Sequence, residues 1–185
     1  ANASGAEGIF VFYPGKAGGA FIKQYAQAGL QGKIPLYSVF TVDSIALPKL
    51  QKANMNGVMG SVMTQFWAPD LDTPQNKKFV SGFKKKYGRY PSFYAAQSYD
   101  TIFLIKSAVE AVKGDLSNKD GMRAAMEKAN FPSVRGKFSY GNNHFPIQNF
   151  YSREVVKDSD GVWTTSVREV VLKNHQDTYA KDCSM

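Results

Sequence analysis

The chain has one cysteine in 185 residues, Cys183, and only two histidines, His144 and His175. One cysteine cannot close an internal disulfide, although it could pair with a cysteine elsewhere in a longer chain. None of the Cys/His spacings of a zinc site occurs, so no metal is expected. His144 lies in a Gly-Asn-Asn-His turn and His175 beside a polar tail, neither with a predictable nucleophile partner. There is no Gly-x-Ser-x-Gly elbow and no His-Glu-x-x-His pair. Asp43, Asp70, Asp72 and Asp100 are scattered at spacings that give no acid and base pair. A catalytic site needs a mutually placed constellation, and none is visible, so no enzyme is expected. No apolar run approaches the ~18 residues of a membrane span. Residues 1–8 are small and polar and lack the apolar stretch of a secretory leader.

Phosphate-binding patterns are also missing. Gly15-Lys16-Ala17-Gly18-Gly19 follows an apolar strand, but it fits neither Gly-x-x-x-x-Gly-Lys-Ser/Thr nor Gly-x-Gly-x-x-Gly. It reads as a tight strand-to-helix turn that lines a pocket, and no cofactor is expected. The net charge is +8, which permits binding to anionic polymers without requiring it. Lys and Arg are spread along the chain. The one dense cluster, Lys84-Lys85-Lys86, falls on an amphipathic helix where a solvated face suffices, so no nucleic-acid partner is expected.

Hydrophobic and aromatic residues are plentiful, at 43% and 14%, enough for one ordinary domain or two small lobes. The first 67 residues alternate strand and helix: strands over 8–13, 34–40 and 57–67, helices over 17–28 and 44–52. This βαβαβ order predicts an α/β fold with a mostly parallel sheet. Ligands of such folds bind at the carboxyl ends of the strands, where Tyr13 would stand. Thr73-Pro74 predicts a helix start, with Phe79, Phe83 and Tyr87 on one face and Gly88 as its end. A long helix over 93–113 and a shorter one to about residue 130, opened by a capping box at Ser117–Asp120, complete a helical middle. These helices either form a small bundle or cover a sheet whose strands lie outside this chain. A strand over 134–140 and a hairpin of 148–158 with 162–172, turning at Asp160-Gly161, close the chain.

Phe12-Tyr13, Phe40, Phe66-Trp67 and Phe93-Tyr94 all fall at expected strand ends or helix starts. Each alone would be ordinary core. Together they predict an apolar small-molecule pocket with a few polar groups.

Two stretches carry a family resemblance: Phe10-Val11-Phe12-Tyr13-Pro14-Gly15 with the helix Ala20-Phe21-Ile22-Lys23-Gln24-Tyr25, and residues 76–100, with Tyr87-Gly88-Arg89-Tyr90-Pro91-Ser92-Phe93-Tyr94 at their heart. Val134-Arg135-Gly136-Lys137-Phe138 and the closing hairpin extend it. The chain resembles the periplasmic substrate-binding proteins of branched-chain-amino-acid-type ABC transporters, and in particular the subgroup that takes up aromatic acids. The resemblance implies a type I periplasmic-binding fold, two α/β lobes closing on a ligand around a hinge crossed three times. It implies that this chain matches the C-terminal half, with most of the first lobe upstream. Residues 1–67 and 148–185 would form the second lobe. Residues 68–147 would hold hinge crossings, near 68–73 and 144–147, and the helical part of the first lobe.

The implied function is capture of a small carboxylate, an aromatic acid, for an importer in the periplasm or on a lipid anchor outside the cytoplasm. The implied partners are the ligand, the membrane permease and the N-terminal half of the same protein. Branched-chain amino acid binding, or a sensor domain of the same fold, are the alternatives; a small α/β enzyme is a third. The implied ligand contacts are Tyr13 with Pro14, Phe40, Thr41 and Tyr94. Amino-acid binders of the family place a carboxylate for the ligand ammonium near the end of the next strand. Here Ser38-Val39-Phe40-Thr41 carries no charge, which favours a ring over an ammonium. The chain alone is expected to fold poorly or to associate, because the helix faces around Phe79, Phe83 and residues 102–104 lack their sheet.

Overall fold

The computed structural model describes residues 2–184. Strand β1 (Ile9–Val11) leads into helix α1 (Lys16–Gln27), then β2 (Leu36–Ser38), α2 (Leu47–Lys52) and β3 (Val62–Gln65). Helices α3 (Pro74–Tyr87), α4 (Phe93–Ala111) and α5 (Lys119–Glu127) follow. The short β4 (Ser139–Tyr140) and the long hairpin β5 (Pro146–Lys157) and β6 (Trp163–His175) end the chain. Strands β1, β2 and β3 are parallel, with Val11 beside Ser38 and Ser38 beside Met63. Strand β5 joins β3 in the antiparallel sense, Met63 opposite Arg153, and β6 pairs with β5 along most of its length. The sheet is therefore mixed, less parallel than the sequence pattern predicts, because the hairpin adds to the β3 edge.

Several expected spans shorten for visible reasons. Asn56–Val58 forms a 3₁₀ turn, and only Val62–Gln65 of the expected 57–67 strand pairs. Of the expected 134–140 strand only Ser139–Tyr140 is β. Upstream, Asp100 takes the Val134 N–H at 2.9 Å, which removes that backbone donor from any ladder, and the Ser133 hydroxyl at 2.6 Å. The α5 cap is Asn118, whose side chain accepts from Gly121 N at 2.9 Å. Ser117 instead bonds Asp115, so the capping box does not form. Thr73 caps α3 as expected, accepting from Asn76 N at 3.2 Å, and Gly88 ends it with φ 66°.

Burial is organised around two apolar clusters. One gathers Val11, Ile22, Tyr25, Leu36, Leu47, Met63, Val155 and Trp163 where α1 and α2 pack on the sheet. The other gathers Phe66, Trp67, Phe79, Phe93, Ala96, Val134 and Tyr151. The link between β3 and α3 belongs to the second. Buried Asn76 accepts from the Trp67 indole at 2.7 Å and donates to the carbonyls of Pro69 and Leu71, each at 3.1 Å. One α3 side chain thus closes the backbone accounts of the crossing, at about 1 kcal/mol for each bond made.

Phe79 departs from the expectation that it lacks cover: it is buried against Trp67, Phe83 and Tyr99. Ile102 and Ile105 do remain exposed along α4, as do Phe10 and Tyr37 on β1 and β2. Among the described residues no helix is long and apolar enough to cross a membrane.

Candidate functional site

The β2–α2 connection holds the most unusual backbone of the site. Phe40 has φ 59°, the left-handed region that costs a residue with a Cβ about 1–2 kcal/mol. Such strain persists only where its surroundings hold it, and it clusters at ligand sites. Phe40 is held by rings. It meets Phe12 edge-on at 5.8 Å, Phe93 edge-on at 4.9 Å and Tyr94 at 6.4 Å between centroids. Residues from β1, β2 and α4 therefore converge on one side chain.

Next to it, Thr41 is buried and accepts the Tyr13 N–H on its hydroxyl at 2.9 Å. That bond joins the loops after β1 and β2. Gly18 of α1 makes the close approach possible: a Cβ there would lie 2.3 Å from the Tyr13 carbonyl oxygen and 2.9 Å from that of Thr41. Gly18 therefore serves packing, and Gly15 supplies a positive φ of 69°.

A cleft of about 400 Å³ opens beside these loops. Gly15, Lys16 and Gly19 at the start of α1 form one side, and Ile45, Ala46, Lys49 and Leu50 of the α2 region form another. Phe40, Thr41 and Asp43 lie between them, and Tyr94 reaches in from α4. The structure thus brings together Phe40, Thr41 and Tyr94 of the five sequence-derived contacts. Tyr13 and Pro14 sit exposed on the adjoining loop outside the cleft lining, with the Tyr13 ring 5.4 Å from that of Phe21.

Sequence reasoning missed Asp43, Lys16 and Lys49 as cleft residues. Asp43 Oδ1 accepts from the N–H groups of Ile45 at 2.8 Å and Ala46 at 2.9 Å, in the turn that leads into α2. An Asp that bonds the backbone two and three residues on is a turn signal that could have placed it in this loop.

On β5, opposite Met63, lies Arg153, 3% exposed. Burial pulls its guanidinium down to about 10, and the charges of Asp43 and Asp70 work in the opposite direction. Its Nη1 lies 3.2 Å from Thr165 Oγ1, while its Nε has no hydrogen-bond partner. Two aspartates that look unrelated in sequence thus act electrostatically on one buried cation. Asp100, likewise isolated in sequence, meets Arg135 at 2.8 Å in a second buried pair. The histidines stay apart: His144 is 3.5 Å from Glu127 on an exposed turn, and His175 packs edge-on to Phe150. Among the described residues no group of acidic, histidine and cysteine side chains could hold a metal ion.

The family model described as periplasmic binding protein matches residues 1–161. A Leu/Ile/Val-binding protein homolog 6 of Brucella abortus (strain 2308) is 33% identical over 168 residues, covering 86% of this chain and 41% of the relative. A solute-binding protein of an ABC transporter from R. palustris, solved with benzoate, superposes with a TM-score of 0.80 at 30% identity. That match covers 97% of this chain and 46% of the other. A second, from Rhodopseudomonas palustris HaA2 and solved with p-hydroxybenzoic acid, has a TM-score of 0.80 at 30% identity, over 96% and 48% of the two chains. The chain spans less than half the length of these relatives. With a family model over most of its length and this α/β architecture, the chain belongs to the periplasmic binding protein family and has the type I periplasmic-binding fold.

Proposed function

We propose that this chain is one half of a two-lobed solute-binding protein of an ABC importer, and that its ligand is an aromatic carboxylate. The observation that carries the reading is the ring cluster around Phe40, a residue with a strained backbone that lines the cleft together with Tyr94. A flat ring gains both apolar burial and edge or face contacts there. Relatives solved with benzoate and p-hydroxybenzoic acid support it. Phe40, Thr41 and Tyr94 would touch the ligand from the cleft, with Tyr13 and Pro14 at its rim.

Residues 1–67 and 148–185 form one lobe in this reading, and residues 68–147 the crossings and the helices of the other. The exposed Ile102 and Ile105 would be covered by the half of the protein upstream. Capture proceeds by closure, without turnover: the ligand shifts an open–closed equilibrium by binding the closed form better. Delivery to a membrane permease follows, in the periplasm or at a lipid anchor outside the cytoplasm.

Asp43 favours a second reading, a branched-chain amino acid. It sets a carboxylate in the cleft wall, where a ligand ammonium would need one, and the curated relative is a Leu/Ile/Val-binding protein homolog. Thermal shift of the two-lobed protein separates the two. Stabilisation by benzoate or 4-hydroxybenzoate and none by leucine is expected; stabilisation by leucine alone overturns the aromatic-acid reading.

A further inference from the structure

Three charged side chains line the cleft: Lys16 on the α1 side, Lys49 on the α2 side and Asp43 between them. Thr41 and Asp43 are already engaged. The Thr41 hydroxyl accepts the Tyr13 N–H at 2.9 Å and donates to the Val39 carbonyl at 3.2 Å, so it has no proton left to offer. Asp43 takes the N–H groups of Ile45 and Ala46, and its charge acts on the buried Arg153. The two ammonium groups are not drawn into these contacts. Among the described residues neither Lys16 nor Lys49 forms an ion pair. Both are exposed beside a wall that is otherwise largely apolar, with Phe40, Ile45 and Leu50.

A carboxylate shut into a cleft needs a counter-charge or hydrogen-bond donors, because an enclosed, unpaired charge is costly. An acid bound by its apolar part at Phe40 and Tyr94 meets no free donor at Thr41 and a like charge at Asp43. The cations of the same cleft are the two lysines. A lysine carries its ammonium as a point charge with three rotatable donors on a flexible stem. The stems of Lys16 and Lys49 can lie along the apolar walls while their ammonium groups follow the anion.

We propose that Lys16 and Lys49 hold the carboxylate of the bound solute, and so set its orientation: apolar part at Phe40 and Tyr94, charge toward α1 and α2. This rests on the solute-binding reading above and applies to whichever acid is bound. The anionic end is then recognised by this half of the protein. Closure removes water from the ion pairs, and a charge-assisted bond shielded from water and salt is stronger than an exposed one. An acid is therefore selected over its neutral amide. Asp43 is left to accept a ligand ammonium, so leucine would use the same two lysines.

Isothermal titration calorimetry of the two-lobed protein compares each acid with its amide, benzoate with benzamide and leucine with leucinamide. Each amide keeps the apolar part and loses the carboxylate. Both lysines are exposed, so Lys16→Met with Lys49→Met leaves the core untouched. In this double variant the affinity for the acid that the parent binds is expected to fall about tenfold, and that for its amide to change less than about twofold. Lys16→Arg with Lys49→Arg keeps both charges and is expected to bind the acid nearly as the parent does. Lys23→Met controls for net charge: it lies about two turns further along α1, outside the cleft lining, and is expected to change neither affinity. A preference for acid over amide that survives the double variant, or is lost equally in Lys23→Met, overturns the lysine assignment and leaves the solute-binding reading intact. A parent that binds leucine and not benzoate overturns the aromatic-acid reading alone, since leucine and leucinamide then test the lysines. A parent that binds neither acid overturns both.

Discussion

Gly18→Ala tests whether the turn after β1 is built for close packing. A Cβ at Gly18 would meet two backbone oxygens, of Tyr13 at 2.3 Å and of Thr41 at 2.9 Å, and the Thr41 methyl at 3.1 Å. Neither oxygen can swing away as a side chain would, so α1 must shift from the sheet edge. Overpacking of this kind costs roughly 2–3 kcal/mol. Alanine returns up to about 1 kcal/mol of helix propensity, which leaves a net loss of roughly 1–2 kcal/mol.

The neighbouring position supplies the control. Gly19 is in the same helical turn, and a Cβ there meets nothing within 4 Å, so Gly19→Ala keeps the propensity gain alone. Urea unfolding of the dilute chain, followed by fluorescence of the buried Trp163 and Trp67, is the assay. With a urea dependence of about 2 kcal/mol per molar, the Gly18→Ala midpoint should fall by roughly 0.5–1 M and that of Gly19→Ala should rise by a few tenths. A Gly18→Ala protein as stable as Gly19→Ala would refute the close-approach argument, and with it the account of how Tyr13 and Thr41 are joined.

At Phe40, replacement by alanine removes the ring contacts and retains the left-handed strain, whereas glycine removes both. Phe40→Gly should therefore be more stable than Phe40→Ala by about 1 kcal/mol, while both weaken ligand binding; equal unfolding midpoints would show that the φ of 59° is not held in solution. Asp100→Asn should destabilise strongly, because it leaves Arg135, 8% exposed, without its counter-charge. Breaking such a pair costs about 3–5 kcal/mol, and a urea midpoint within 0.3 M of the parent would contradict a buried pair.

Much of the architecture was readable from local pattern. The strand–turn–helix order, the Thr73-Pro74 start, the Gly88 stop and the Asp160-Gly161 turn all act within a few residues, through caps, φ preferences and apolar spacing. The aromatic residues at strand and helix ends were legible as a group for the same reason, and the ordered motifs carried the family. Pairings across long separations were not legible. Asp70 takes Ser166 and Val167 across nearly a hundred residues, and Asp100 meets Ser133, Val134 and Arg135. No local propensity encodes these contacts, because they are set by which strands and loops the sheet brings side by side.

The same division holds for the site. Sequence alone placed Phe40 at a strand end, where a βα unit directs the residue after its strand toward the cleft edge, and Tyr94 at a helix start, with its place beside the cleft implied by the resemblance. Only the tertiary structure decided that Phe40 is the ring on which the others converge, that Asp43, Lys16 and Lys49 share its cleft, and that Phe79 is covered. Those outcomes depend on where α1, α2 and α4 come to rest against one another, and that is settled by packing over the whole chain.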